Sequence, residues 1–267
     1  MVGKVINLFK SVTPNLAAIK MHYYLSVSAV DGIKKDSSDL LYGDAKEKKV
    51  VEMFDKIAPR YELLNTILTF GLDKRWRKIG VSLLGLNPGS LVGDVACGTG
   101  DILRLLNSRG LVGIGLDPSR GMLVAGHSSS PLVQSTAEHM PLKSESLDGI
   151  VTSFALRNFT NLEEFFNEAF RAIKPGGRFM NLDVGEPKST LIKVGHNLWF
   201  NRAVPLIGAL FSDKGAYAYL PKSTSYLPAP NTVIKMLEDV GFIQVRYRRF
   251  LFGSAQLWHA TRPVALN

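Results

Sequence analysis

The feature that most constrains this chain is the alternation of short apolar runs with amphipathic segments between residues 90 and 184. Residues 90–95, 111–116, 132–134, 149–153 and 178–184 read as strands, and residues 101–108, 119–126 and 162–173 between them read as helices. Strands separated by helices pair in parallel, with the crossover helices packed on both faces of the sheet. Upstream, residues 46–57, 62–70 and 74–84 repeat apolar side chains at helical spacing. Downstream, residues 231–240 form a helix stopped by Gly241. Residues 243–250 and 254–261 then form an antiparallel hairpin across Leu251-Phe252-Gly253. The expectation is an α/β, Rossmann-like fold with a seven-stranded, mostly parallel sheet. In such folds ligands bind beyond the carboxyl ends of the strands, so functional residues should follow each strand.

Composition narrows the possibilities. At 46% hydrophobic residues the chain has ample material for a core, which excludes wholesale disorder. A single cysteine excludes a disulfide scaffold and a zinc site of several thiolates, and no metal site is expected. The formal charge of +9 suits nucleic acid, an anionic membrane surface or an acidic ligand without choosing among them. Residues 190–211 are the richest apolar stretch, but Lys193, His196, Asn201 and Arg202 interrupt it, so no membrane-spanning helix is expected. The expected location is the cytoplasm, with peripheral contact at the inner face of a membrane as an option. Residues 1–45 form an extension to a domain of residues 46–267, in which residues 186–228 are an insertion on the substrate side. Val2, Val5, Ile6, Phe9 and Val12 recur at helical spacing near Lys4 and Lys10. Packing on the body, interfacial anchoring and a cleaved targeting segment all stay open here, the last weakened by the absence of Arg before Arg60.

After the first strand comes Asp94-Val95-Ala96-Cys97-Gly98-Thr99-Gly100-Asp101. A dinucleotide turn would place a third glycine where Leu103 stands. Asp101 at the start of the next helix would repel a diphosphate, whereas a cationic sulfonium attached to adenosine meets no such conflict. S-adenosylmethionine fits that description; an N-cap on an ordinary turn is the plainer reading of Asp101. The second strand ends at Asp117, 23 positions after Asp94, where a carboxylate can accept both ribose hydroxyls. Thr136-Ala137-Glu138 follows the third strand, facing the adenine edge, and Ser153 closes the fourth. Asp94, Gly98, Thr99, Gly100, Asp117, Thr136, Ala137 and Ser153 are thus the candidate cofactor residues. Cys97, inside the glycine turn, reads as a packing residue rather than a nucleophile.

On these residues the chain resembles the class I methyltransferases, and within them the UbiE/MenG family of quinone-ring C-methyltransferases. The similarity runs from about Val50 to Thr261. Tyr61-Glu62-Leu63-Leu64-Asn65 with Trp76 is similar to the family's N-terminal signature, with Glu62, Leu64, Thr69 and Asp73 where Asp, Met, Ser and His are usual. Ser153-Phe154-Ala155-Leu156-Arg157-Asn158-Phe159 resembles its S-F-G-x-R-N segment. Residues 171–185, with Lys174-Pro175-Gly176-Gly177, resemble its second signature, with Ala172, Asp183 and Gly185 for Val, Glu and Ser. The resemblance implies S-adenosylmethionine contacts at Thr99, Asp117, Thr136–Ala137 and Ser153, with Thr136 in place of an Asn or Asp. It also implies methylation of a demethylated isoprenoid hydroquinone such as demethylmenaquinol.

Carbon methylation needs a ring carbon made nucleophilic by loss or polarisation of a phenol proton, and exclusion of water. Arg157 is placed to stabilise the resulting phenolate directly or through a water, and Asn158 to position the ring hydroxyl. A fold-stabilising ion pair is the other reading of Arg157. Tyr61 and Tyr219 are candidates to pack against the ring, with core roles as the alternative. His196 reads as a helix residue rather than a base. A homodimer or a quinone-synthesis complex is compatible with the sequence. Three rivals stay on the table: another small-molecule O- or N-methyltransferase, a non-catalytic cofactor-binding subunit, and a nucleic-acid methyltransferase. The last is disfavoured because no Asn-Pro-Pro-aromatic motif or nucleophilic Cys follows the fourth strand, and no nucleic acid partner is expected.

Overall fold

The computed structural model describes residues 43–185 and 223–264. Tyr219, His196, the expected anchor segment and the insertion up to residue 222 lie outside the described residues.

Three helices come first: α1 (Gly43–Ile57), α2 (Tyr61–Leu68) and α3 (Leu72–Leu83), with a short 3-10 turn at Ala58–Arg60. The alternating part follows as β1 (Leu91–Val95), α4 (Asp101–Ser108), β2 (Val112–Asp117), α5 (Arg120–Ala125), β3 (Leu132–Gln134), β4 (Leu147–Ser153), α6 (Leu162–Ala172) and β5 (Ile173–Val184). The tail is α7 (Pro230–Val240), β6 (Ile243–Phe250) and β7 (Ala255–Thr261). The seven strands form one sheet in the order β3-β2-β1-β4-β5-β7-β6, parallel except for β7, which runs against both its neighbours. The expected C-terminal hairpin is therefore present, and β7, not β6, is inserted beside β5.

Two apolar layers hold the sheet. On one face Phe165 and Phe166 of α6 pack with Phe179, Trp258 and Leu237. On the other, Trp76 and Val81 of α3 and Leu103 and Leu106 of α4 pack with Met180 and Leu257. Gly80 lets α3 settle onto the sheet, since a Cβ there would stand 2.9 Å from the Met180 side chain.

β5 starts earlier than the strand read at residues 178–184: the helix stops at Ala172, and Ile173 already pairs with Leu147, so Pro175-Gly176-Gly177 lies inside the strand. The register then shifts, so that Gly149 meets Arg178. The two glycines form an irregularity within the strand: Gly176 is left-handed, and a Cβ on Gly177 would lie 2.5 Å from the Ile173 side chain.

Register is what builds the site. Val95 stands opposite both Leu116 and Thr152. The residues that follow these three, Ala96, Asp117 and Ser153, therefore form a row along the carboxyl edge of the sheet.

Candidate active site

A cleft of about 680 Å³, counting the space open to solvent at its mouth, lies at that row. Tyr61, Gly98, Asp117, Thr136, Ala137, Ser153 and Asn158 line it, which brings together seven of the residues singled out from sequence. Asp94, Thr99, Gly100 and Arg157 do not line it.

Asp117 is the electrostatic centre. Its Oδ2 accepts the Gly98 amide at 2.8 Å and its Oδ1 the Ser119 amide at 2.8 Å. Burial pushes its pKa up to about 6, with those two amides pulling the other way. Three amides of the glycine turn are thus already engaged: that of Gly98 by Asp117, that of Cys97 by Leu116, and that of Gly100 by Cys97.

The charge argument built on Asp101 needs correction. Asp101 is not a bare negative charge at the helix start, because Arg77 donates to it at 2.8 Å and Arg104 also bonds it. Arg104 and Thr99 bind Glu62 as well, at 2.7 and 2.9 Å. Burial opposes ionisation of Glu62, but these bonds outweigh it and hold the carboxyl below its ordinary range. The sign of the cavity comes instead from its own lining. Among the described residues that lining carries Glu47, Asp117 and Glu138 and no Lys, Arg or His. Such a cavity suits a cation and disfavours a diphosphate.

Asp94 is fully buried one residue before the end of β1. Burial raises its pKa well above its ordinary value, Arg77 opposes the shift, and Asp117 and Asp101 reinforce it. Its Oδ2 has no partner among the described residues. The Thr99 hydroxyl is spent on Glu62, and Gly100, at φ 85°, is the left-handed entry to α4. Cys97 is buried, and burial together with Asp94 and Asp117 holds its thiol well above the ordinary value, which fits the packing role.

Arg157 lies beneath the site rather than in it. Its Nη1 donates to Asp183 Oδ1 at 2.6 Å and to the Phe154 carbonyl at 2.7 Å, and its Nε donates to Ser223 at 3.1 Å. The buried pair fixes the 3-10 turn Leu156–Asn158, which carries Asn158 into the cavity. Direct phenolate contact by Arg157 is therefore not what this arrangement provides.

Several site residues were not visible in the sequence. Helix α1 covers the cavity with Glu47, Val50 and Phe54. It is pinned at both ends: Lys46 donates to the carbonyls of Arg157 (3.1 Å) and Phe159 (2.7 Å), and Asp55 accepts from Ser119 Oγ (2.6 Å) and the Gly121 amide (2.7 Å). Burial lowers the Lys46 pKa to about 8, while Glu138 raises it. Glu138 in turn accepts the Thr160 amide and hydroxyl at 2.7 and 2.8 Å, shaping the loop after β4. Phe54 meets Tyr61 edge-to-face at 5.9 Å, and burial raises the Tyr61 pKa. Ala96 and Phe154, at the tips of β1 and β4, hold φ of 56° and 58°. Left-handed backbone at two non-glycine residues on the cavity wall is strain stored at the site.

The sequence profile of the ubiE/COQ5 methyltransferase family matches residues 42–262. The chain is 34% identical over 227 residues to the ubiquinone/menaquinone biosynthesis C-methyltransferase UbiE of Geobacter sulfurreducens, covering 80% of this chain and 88% of that one. It is 34% identical over 221 residues to the demethylmenaquinone methyltransferase of Thermus thermophilus, covering 79% of this chain and all of that one. Among solved structures, phosphoethanolamine N-methyltransferase 2 of Haemonchus contortus, in complex with S-adenosyl-L-methionine, matches with a TM-score of 0.54 at 14% identity. That match covers 71% of this chain and spans about half the length of the other (52%), and it speaks to the fold alone.

Proposed function

Because this chain belongs to the ubiE/COQ5 methyltransferase family, we propose that it methylates a ring carbon of a demethylated isoprenoid hydroquinone, of the demethylmenaquinol type, in respiratory quinone synthesis. It is an S-adenosylmethionine-dependent methyltransferase, and the acidic lining of the cavity, without a cationic side chain among the described residues, fits that donor. When bound, the donor supplies an electrophilic methyl group on a sulfonium.

The chain's own residues have three tasks. Asp117 receives the ribose diol of the donor through the lone pairs that the Gly98 and Ser119 amides leave free. Thr136 and Ala137 border the adenine. Across the cavity, the Asn158 amide and the Tyr61 hydroxyl donate to a ring oxygen as negative charge develops there. Tyr61 serves as a donor because its raised pKa keeps the phenol proton in place. Val50, Phe54 and Met122 exclude water from the reacting carbon. Arg157 is a positioning residue in this scheme and acts by holding Asn158.

The observation that carries the substrate class is the likeness to two relatives named for quinone methylation, across four-fifths of this chain. The test is turnover by the purified full chain with demethylmenaquinol, histamine or phosphoethanolamine as acceptor. Methyl transfer to the quinol alone is expected. Transfer to an amine, or to no acceptor while the donor still binds, would overturn the proposal.

A further inference from the structure

The connection between β6 and β7 combines features that the fold does not require. Leu251 is 50% exposed and Phe252 is 73% exposed, side by side at the tip. Both have left-handed backbone, with φ of 43° and 54°. An exposed Phe in a conformation that suits Gly or Asn is unfavourable twice over, through its apolar surface and through its backbone. Just before the tip, Arg248 and Arg249 are exposed on opposite faces of the edge strand β6, and no carboxylate pairs with them among the described residues; Arg248 also lies over the Phe250 ring at 5.3 Å.

Topology places this tip. β7 runs antiparallel to β5 with Ala255 opposite Val184, so the connection sits at the carboxyl end of β5. That is the edge of the sheet on which the cavity opens. The Gly185 amide donates to the Ser254 carbonyl at 2.9 Å, and a Cβ on Gly185 would stand 2.3 Å from the Gly253 carbonyl, so the tip is seated firmly there.

We propose that Leu251 and Phe252, with Arg248 and Arg249 flanking the tip on either face of β6, form a docking surface for an anionic lipid bilayer. The two apolar side chains enter the boundary between headgroups and acyl chains, and the guanidinium groups lie among the phosphates. The surface rests on the quinol reading only for its purpose, which is to bring the cavity edge to a substrate dissolved in lipid. Arginines with no carboxylate partner among the described residues, beside an apolar tip, favour the membrane over a second copy of the chain, whose identical arginines would repel.

The test uses the full chain and sedimentation with vesicles of phosphatidylcholine alone or mixed equally with phosphatidylglycerol. Binding to the mixed vesicles is expected, weakening at high salt. Arg248→Ser combined with Arg249→Ser should lower the partition about thirtyfold. Phe252→Asn should lower it about tenfold while thermal stability holds or rises, because Asn accepts the left-handed backbone. A polarity-sensitive dye on Leu251→Cys reports the contact directly; Cys97, being buried, is not expected to compete for the label. Its emission should shift to the blue on adding the mixed vesicles. Wild-type partition in the variants, a dye that stays in water while the chain sediments, or a melting temperature that falls with Phe252→Asn would each overturn the proposal. So would loss of RNA binding or of a dimer in the variants with vesicle binding unchanged. Turnover of a short-tailed, water-soluble demethylquinol is assayed separately: its absence sinks the quinol reading and leaves the surface standing, and its persistence in the variants leaves the two results independent.

Discussion

Asp117→Asn separates what the site does from what the fold needs. The Asp117 carboxyl rises from an ordinary 3.8 to about 6, which at 1.36 kcal/mol per pH unit is a cost of about 3 kcal/mol for ionising it in place. A folded-state value above the unfolded one means that the group's stabilising contribution is complete below about pH 3.8 and is lost as pH rises through about 6. At pH 7.5 Asn removes that cost. That cost is already net of the two amide bonds of 2.8 Å, so Asn gives up only the difference between a neutral acid and an amide as acceptor, about 1 kcal/mol. The variant should therefore be the more stable by about 2 kcal/mol at pH 7.5. At pH 4 the folded carboxyl is protonated and most of the gain is absent, so the variant should be the less stable by about 1 kcal/mol. Donor binding has no such compensation. Loss of two charge-assisted bonds to the ribose diol should weaken S-adenosylhomocysteine about a hundredfold by titration calorimetry. A variant that binds the ligand within threefold of wild type, or that melts far lower at pH 7.5 than at pH 4, would refute the reasoning.

The other predictions concern the supports of the site. Arg157→Ala leaves Asp183 buried without its 2.6 Å partner and should cost about 3–5 kcal/mol in denaturant unfolding, most of which Arg157→Met with Asp183→Leu should recover. Asp55→Ala removes the acceptor for Ser119 and Gly121 and frees one end of α1, so the donor product should dissociate about tenfold faster in stopped flow while folding is retained. Gly121→Ala should do the same by steric means, since a Cβ there lies 2.9 Å from Asp55 Cα; an unchanged dissociation rate would remove the lid role of α1. Lys46, with its pKa lowered to about 8, is ionised at cost below that value. Lys46→Met should therefore gain stability relative to wild type as pH falls from 10 through about 8, as read by melting across that range.

Much of this was legible in the sequence because it is local. A short apolar run followed by glycines or an acid places a strand and its tip, which is why Asp117 and Ser153 fell on the cavity wall. The strand read at 178–184 was too short at its start, because turn residues such as Pro175-Gly176-Gly177 can also sit inside a strand as an irregularity, and only the pairing of Ile173 with Leu147 shows it. Arg157 was found by motif, but its partners Asp183 and Ser223 lie 26 and 66 residues away and convert it from a contact into a support. The pins of α1 span still longer separations, 111 residues from Lys46 to Arg157 and 64 from Asp55 to Ser119. Hydrophobic periodicity cannot report such polar contacts. Nor does any residue type announce the strain at Ala96 and Phe154, since neither is a usual occupant of left-handed backbone.

The most direct measurement is carbon NMR of the product made by the purified chain from demethylmenaquinol and donor labelled in its methyl carbon. A single new resonance in the aryl C-methyl region is predicted. A resonance in the O-methyl or N-methyl region would contradict ring-carbon methylation, however tightly the donor binds.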